Sequence, residues 1–181
     1  MNKAFVKEGT EESLSSLPEM PIGVRNYITP HGYRSLQDEL QRLHDASHSE
    51  LRRADVADED DATSQQPAED LEQNVREREQ RIQYLNTRLE TAEIVDPSVH
   101  HGNDQIFFGA SVEYQNLANE RHTVTIVGLD ELDPSNGKIS WLSPMAKALL
   151  KANEGDTVVL DSPAGNEKLR ILNVRYPRAS T

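Results

Sequence analysis

A seven-residue repeat in the middle of the chain constrains the fold more than any other feature of the sequence. Side chains recur at alternating spacings of four and three residues, at Leu71, Val75, Arg78, Ile82, Leu85, Leu89 and Ala92. This rhythm places one side chain per turn on a single helical face, which is typical of a helix in a coiled coil. Arg78 interrupts a stripe that is otherwise apolar. The repeat therefore predicts a long helix that needs a partner to cover it.

The segment that precedes the repeat supplies the partner. Thr29 can cap a helix and Pro30 suits its first position, and apolar residues then fall three and four residues apart at Tyr33, Leu36, Leu40 and Leu43. The helix is expected to run to about Ala57, because residues 44–57 contain neither Gly nor Pro. Two such helices are expected to fold back as an antiparallel coiled-coil hairpin over residues 29–96, a rod of roughly 40 Å.

The loop between the helices is acidic and is expected to form the tip of the hairpin, at residues 58–70. Four carboxylates follow each other directly, at Asp58, Glu59, Asp60 and Asp61. Pro67 and Glu69 indicate the first turn of the second helix. Carboxylate oxygens are ligands that Mg²⁺ prefers, so the tip is a candidate metal-contacting site. The alternative is a solvated loop, which is what most charge runs are.

A different pattern begins at Asp96 and Pro97, where the second helix is expected to end. Ser143 and Pro144 indicate the start of a short helix, and the chain around it contains β-branched or aromatic runs separated by turn residues. The five predicted strands lie in "IFFGASVEY", "HTVTIVGL", "GKISWL", "DTVVLD" and "KLRILNVRY". The predicted fold class is α+β. A linker at 97–103 leads to a small α+β domain at 104–177, and tails are expected at 1–28 and 178–181.

Composition limits the classes of function. The net charge of -12 argues against unassisted binding to DNA, because phosphates repel an acidic surface. The same charge would draw the chain towards a basic channel on a larger partner. There is no cysteine, so disulfides and Cys-based metal sites are excluded. Neither a signal-peptide core nor an apolar run of roughly 20 residues is present, which predicts a cytoplasmic protein with no membrane partner.

Motifs in both halves give the chain a specific resemblance over residues 27–177. These motifs are "YITPHGYRSLQDEL", "REREQRIQYLNTRLETAEIVD", "FFGASV", "TIVGLDELDPSNGKIS", "SPMAKALL" and "EGDTVVLDSPAG". Their order and spacing resemble the Gre factors, bacterial proteins of the GreA and GreB type that act on transcription. The resemblance implies a monomer whose coiled coil enters the secondary channel of RNA polymerase. It also implies a C-terminal domain of FK506-binding-protein-like fold at the channel rim, and no enzymatic activity of the factor alone.

The tip departs from the family motif D-x-x-E-N-x-D-Y, whose carboxylates help the polymerase hold Mg²⁺ and cleave a backtracked transcript. The motif falls on "DATSQQPA", so Asp61 can match the first acid while Ser64, Gln65 and Pro67 replace later positions. One interpretation is a regulator or inhibitor whose residues Asp58 to Asp61 act on the polymerase Mg²⁺. A second is a cleavage factor that uses Asp61 and a neighbour. A third is a binding module with an unrelated partner.

Arginines of the second helix have two interpretations. By resemblance, Arg76, Arg78, Arg81 and Arg88 match in part a face that contacts transcript RNA. Glu72 lies four residues before Arg76 and Glu77 four before Arg81, so these residues can instead form ion pairs along the helix. The excess of acids in this helix favours the structural interpretation.

The resemblance also places polymerase docking at Ser143, Pro144 and Met145. Some relatives carry an acid directly before the Ser-Pro pair, where this chain has Leu142. Trp141, the only tryptophan, is a further candidate for docking, although a lone Trp in a strand usually belongs to a core.

Overall fold

The computed structural model describes residues 19–56 and 68–178. Within these ranges the chain forms strands and α-helices joined by turns and short 3₁₀ segments. In chain order they are β1 (Asn26–Ile28), α1 (Pro30–Val56), α2 (Ala68–Thr91), β2 (Ala92–Ile94), β3 (Ser111–Gln115), β4 (Arg121–Val127), β5 (Lys138–Ser140), α3 (Pro144–Leu149), β6 (Thr157–Ser162) and β7 (Gly165–Arg175). The order confirms the predicted α+β class, with a helical hairpin first and a sheet domain second. No α-helix in the described part of the chain combines the length and apolarity that a membrane crossing requires.

The hairpin consists of α1 and α2, and its N-terminal cap is the predicted one. The Thr29 hydroxyl accepts a hydrogen bond from the Gly32 backbone N–H at 3.0 Å. Leu36 and Leu85 are fully buried between the helices near their base, whereas Leu71, at the distal end of α2, is 53% exposed. The apolar packing of the seam is therefore concentrated where the hairpin meets the rest of the chain.

A two-stranded parallel sheet closes the base of the hairpin and corrects two predicted boundaries. β1 precedes α1 and β2 follows α2, with Asn26 opposite Ala92 and Ile28 opposite Ile94. The expected tail at 1–28 therefore contains a strand, and the second helix ends at Thr91 rather than near Asp96. Strands of three residues are too short to show a period, and their pairing depends on segments more than 60 residues apart.

The C-terminal domain is a five-stranded sheet in the order β5-β4-β3-β7-β6. Its pairs are antiparallel except for β4 and β5, which run parallel. All five predicted strands are confirmed, although the first begins at Ser111 instead of near Ile106. One face of the sheet and α3 enclose the core, which contains Ile106, Ala110, Val112, Tyr114, Val124, Ile126, Ala146, Leu149, Leu169, Ile171, Val174 and Tyr176.

Candidate functional site

A buried ion pair joins the hairpin to the C-terminal domain. Asp130 lies in a 3₁₀ turn after β4, and its carboxylate accepts hydrogen bonds from Arg88 Nε at 2.7 Å and from the Tyr84 hydroxyl at 2.5 Å. The Arg88 and Asp130 side chains are only 6% and 4% exposed. The pKa of Tyr84 is raised mainly by burial and, to a smaller extent, by the hydrogen bond to Asp130. Tyr84 is therefore a stable donor, and both helical side chains fix α2 on the domain.

Glu131, the next residue, fixes the start of α1. Its carboxylate accepts hydrogen bonds from the Thr29 backbone N–H at 3.0 Å and from the Thr29 hydroxyl, and it also accepts from the Gly128 N–H at 3.0 Å. Two glycines lie so close to this contact that a side chain at either position would force a neighbouring group to move. A Cβ on Gly32 would lie 2.2 Å from Glu131 Oε1, and one on Gly128 would lie 2.3 Å from the Tyr27 carbonyl oxygen. The two acids thus hold the two helices separately, at adjacent positions.

Aromatic side chains complete the junction. Tyr27 of β1 packs against Trp141 with ring centroids 5.0 Å apart and against Phe108 at 6.0 Å. Trp141 also packs on the core of the C-terminal domain, so the expectation that a lone Trp belongs to a core is confirmed. Its ring lies in the contact between the hairpin base and the domain. We call Tyr27, Tyr84, Arg88, Asp130, Glu131 and Trp141 the junction.

The arginines of α2 form ion pairs, and one of the two pairs predicted from spacing along the helix is observed. Arg78 contacts Glu50 of α1 through two hydrogen bonds of 2.6 and 2.7 Å. Arg81 contacts Glu39 of α1 in the same forked geometry, at 2.6 and 2.9 Å, so the predicted pairing of Arg81 along its own helix was wrong. Charge-assisted forks of this kind fix the register of two helices.

The pairing of Arg78 explains the interruption in the apolar stripe. The hydrogen bond from Arg78 lowers the pKa of Glu50, and the same bond raises the pKa of Arg78. Arg76 is different, because it is 76% exposed and meets Glu72 only at 3.5 Å, as the spacing along the helix predicted. Contact of Arg76, Arg78 and Arg81 with RNA stays a prediction, with Arg76 the most accessible of the three, whereas the expected contact of Arg88 was wrong because its side chain is buried against Asp130.

The acidic tip lies outside the described residues. Asp58, Glu59, Asp60 and Asp61 belong to the segment between Val56, where α1 ends, and Ala68, where α2 begins. Within residues 19–56 and 68–178, no three His, Asp or Glu side chains come together as metal ligands would. The metal-contacting role of the four acids therefore stays a prediction.

The three predicted docking residues lie at the start of α3. The Ser143 hydroxyl accepts a hydrogen bond from the Ala146 N–H at 3.1 Å, which confirms its role as the helix cap. Pro144 is exposed, whereas Met145 is half-buried against the domain core. Of the three, Pro144 offers the most surface to a partner, and docking by this segment stays a prediction.

The fold and the junction define a class of protein in which a helical hairpin is fixed by its base on a small α+β domain. Comparisons with known proteins specify the class. Residues 101–176 match the family described as "Transcription elongation factor, GreA/GreB, C-term". The transcription elongation factor GreB of Neisseria meningitidis is 41% identical over 159 residues, which cover 87% of this chain and 98% of the relative.

A second sequence relative agrees with this assignment. GreB of Pseudomonas putida is 36% identical, with 83% of this chain and 94% of the relative covered. The crystal structure of GreA factor homolog 1 of Thermus thermophilus aligns with 28% identity and a TM-score of 0.36, covering 84% of this chain and 99% of that one. The assignment rests on the sequence relatives. This chain belongs to the GreA/GreB family of transcription elongation factors.

Proposed function

We propose that the chain binds RNA polymerase in the cytoplasm as a monomer, with α3 at the rim of the secondary channel and the hairpin inserted into the channel. Its tip acids would act on the catalytic Mg²⁺ of the polymerase and slow nucleotide addition. The proposal is supported by the combination of a helical hairpin fixed at its base with four consecutive carboxylates, Asp58 to Asp61, in the sequence between the two helices. The factor would alter the chemistry of the polymerase without catalysing a reaction of its own.

The composition of the tip favours regulation over cleavage. Asp61 matches the first acid of the family's cleavage motif, but Ser64, Gln65 and Pro67 occupy later motif positions. Serine and glutamine are neutral and proline has no donor atoms in its side chain, so these positions cannot supply the anionic oxygens that hold a second Mg²⁺. Acids upstream of the motif could still contact a metal ion, in a different arrangement.

Stimulated transcript cleavage is the second candidate. It is favoured by the similarity to proteins named GreB, at 41% identity over nearly the whole chain. In this alternative Asp61 and one neighbouring acid would replace the missing carboxylates. The exposed Arg76 is the best-placed of the three arginines to contact the transcript in either case, because Arg78 and Arg81 are held by Glu50 and Glu39.

Backtracked elongation complexes distinguish the two candidates. Transcript shortening and NTP incorporation are followed in parallel, with the wild-type chain and with the variant D58N/E59Q/D60N/D61N. The matched control removes four other charges, at Asp38, Glu79, Glu90 and Asp161. These acids are exposed and lie away from the tip, and they form no ion pair with another described residue.

If the factor is a regulator, the wild-type chain should slow NTP incorporation without shortening the transcript. The tip variant should lose this effect, and the control variant should keep it. Rapid shortening that depends on the tip would replace this proposal with the cleavage alternative. Absence of both effects, together with absence of polymerase in a pull-down, would reject polymerase as the partner.

A further inference from the structure

A cleft separates the base of the hairpin from the outer face of the C-terminal sheet. Its volume is about 790 Å³. One wall is the start of α1, including His31 and Arg34, and the other is formed by β3, β4 and β7. The cleft lies on the opposite side of the sheet from the apolar core. Its size is within the range of small-molecule sites, roughly 300–1,000 Å³.

Strand alternation explains why the sheet wall of the cleft is polar. In β4, Val124 and Ile126 are buried in the core, so Thr123 and Thr125 face the other way and line the cleft. Ser111 of β3 also lines it, and its hydroxyl lies 2.8 Å from the Thr125 hydroxyl. The wall therefore offers hydroxyl groups where a solvated sheet face commonly carries long charged side chains.

Three guanidinium groups surround this wall. Arg34 belongs to α1, Arg175 ends β7, and Arg178 follows it. None of the three forms an ion pair with any residue in the described ranges, and only Arg175 has a hydrogen-bond partner, the Asn173 side chain at 2.9 Å. Lys138 adds a fourth cation to the lining. This concentration of unpaired positive charge contrasts with the net charge of -12 for the chain.

Each of the three acids that line the cleft has a contact within the protein. Glu131 accepts three hydrogen bonds at the junction, as described above. The Asp96 carboxylate accepts a hydrogen bond from the Ser98 N–H at 2.9 Å, and Glu113 lies 3.7 Å from Arg121. The lining thus carries four cations, three of them guanidinium groups without an ion pair in the described ranges, against three acids, which favours an anionic ligand over a cationic one.

Packing of the linker against the sheet domain fixes one end of the cleft. Gly109 has a φ of +85°, and a Cβ at this position would lie 2.4 Å from Pro97. The Gly109 N–H also donates to the Ile126 carbonyl oxygen at 2.8 Å. The linker therefore contacts the domain too closely for any side chain at this position, and the cleft has a built boundary there.

We propose that this cleft binds a small polyphosphate ligand of nucleotide size, with Arg34, Arg175 and Arg178 on the phosphates and the hydroxyl wall beside them. A guanidinium group can donate two parallel hydrogen bonds to two oxygens of one phosphate. Three guanidinium groups on two sides of a cleft therefore favour a ligand with more than one phosphate. The proposal is independent of how the chain acts on polymerase, and it is tested with the 181-residue chain alone.

The probes are ATP, inorganic pyrophosphate and adenosine, each titrated by calorimetry and by amide NMR at low ionic strength. ATP and pyrophosphate are expected to saturate one site and to compete with each other, with shifts at β3, β4, β7 and the start of α1. Replacing Arg34, Arg175 or Arg178 singly by Gln should weaken ATP binding about tenfold, since each removes a charge-assisted contact. If pyrophosphate bound as tightly as ATP, the site would be assigned to inorganic polyphosphate and not to a nucleotide.

The matched control is R42Q/R52Q/R170Q, which removes three exposed arginines that do not line the cleft. It is expected to bind ATP as the wild type does, whereas R34Q/R175Q/R178Q is not. Equal losses in both triple variants would show non-specific attraction and overturn the proposal. Non-saturating titrations, shifts outside the cleft, or binding of adenosine without pyrophosphate would overturn it as well.

Discussion

Replacing Asp130 by alanine is expected to loosen the hairpin from the C-terminal domain. The substitution removes the acceptor of Arg88 and Tyr84 and leaves a guanidinium that is only 6% exposed without its counter-charge. Breaking a buried ion pair on one side costs about 3–5 kcal/mol. That is a large share of the roughly 5–15 kcal/mol that separates most folded domains from their unfolded state.

Two optical probes measure this effect at different places. Circular dichroism at 222 nm is dominated by α1 and α2, and the fluorescence of Trp141, the only tryptophan, reports on the junction. During urea unfolding of the wild type the two signals are expected to change together. In Asp130→Ala the fluorescence transition should move to lower urea, and the two curves should separate because the hairpin no longer unfolds with the domain.

A double variant distinguishes the ion pair from simple loss of packing. Arg88→Met with Asp130→Leu removes both charges, and such replacements are often neutral or stabilising. It should therefore be more stable than Asp130→Ala alone. Glu93→Ala, which breaks the exposed Arg25–Glu93 contact, is the control and should change little. If Asp130→Ala unfolded at the urea concentration of the wild type by both probes, the assigned role of the buried pair would be wrong.

Three further predictions concern other parts of the fold. Because the hydrogen bond from Arg78 lowers the pKa of Glu50, this pair stabilises the hairpin above the ordinary value of 4.5 and loses that effect as the pH falls through the lowered pKa. Acid titration followed at 222 nm should therefore show a smaller loss of helix in Glu50→Gln than in the wild type. The pKa of Tyr84 is raised instead of lowered, so the pH dependence of its contribution runs in the opposite direction. The contribution to stability is complete below the ordinary value of 10.0 and is lost as the pH rises through the raised pKa. Tyr84→Phe should flatten the loss of stability at alkaline pH, and an unchanged profile would argue against burial of the phenol. Gly109→Ala combines a strained φ with a clash against Pro97, and it should lower the free energy of unfolding by about 1–3 kcal/mol in urea titrations.

Local patterns in the sequence predicted most of the regular structure. The period of the seam, the Thr29 cap and the Ser143 cap identified three helices, because each signal lies within a few neighbouring residues. The strands of the C-terminal domain were found for the same reason. The Glu50–Arg78 contact could also have been predicted from the sequence, since both residues occupy seam positions of their helices.

The junction could not be predicted in this way. Arg88 and Asp130 are 42 residues apart and belong to different structural units, so no local pattern connects them. Asp130 and Glu131 lie in a turn rich in acids, where nothing in the sequence distinguishes a buried carboxylate from a solvated one. Arg81 illustrates the same limit, because its sequence neighbourhood indicated only Glu77, and the packing of α1 on α2 is what brings Glu39 to it.

The parallel pairing of β1 with β2 ties the two ends of the hairpin together, and the junction then holds both on the domain. The hairpin therefore behaves as a lever with its pivot at the base. With 27 residues in α1, its arm is about 40 Å long, so a rotation of about 10° at the pivot would displace the far end by about 7 Å. That displacement is several times the length of a metal–oxygen bond, so in the proposed function the position of the distal end of the hairpin would depend on Asp130 and Glu131, at the opposite end of the rod.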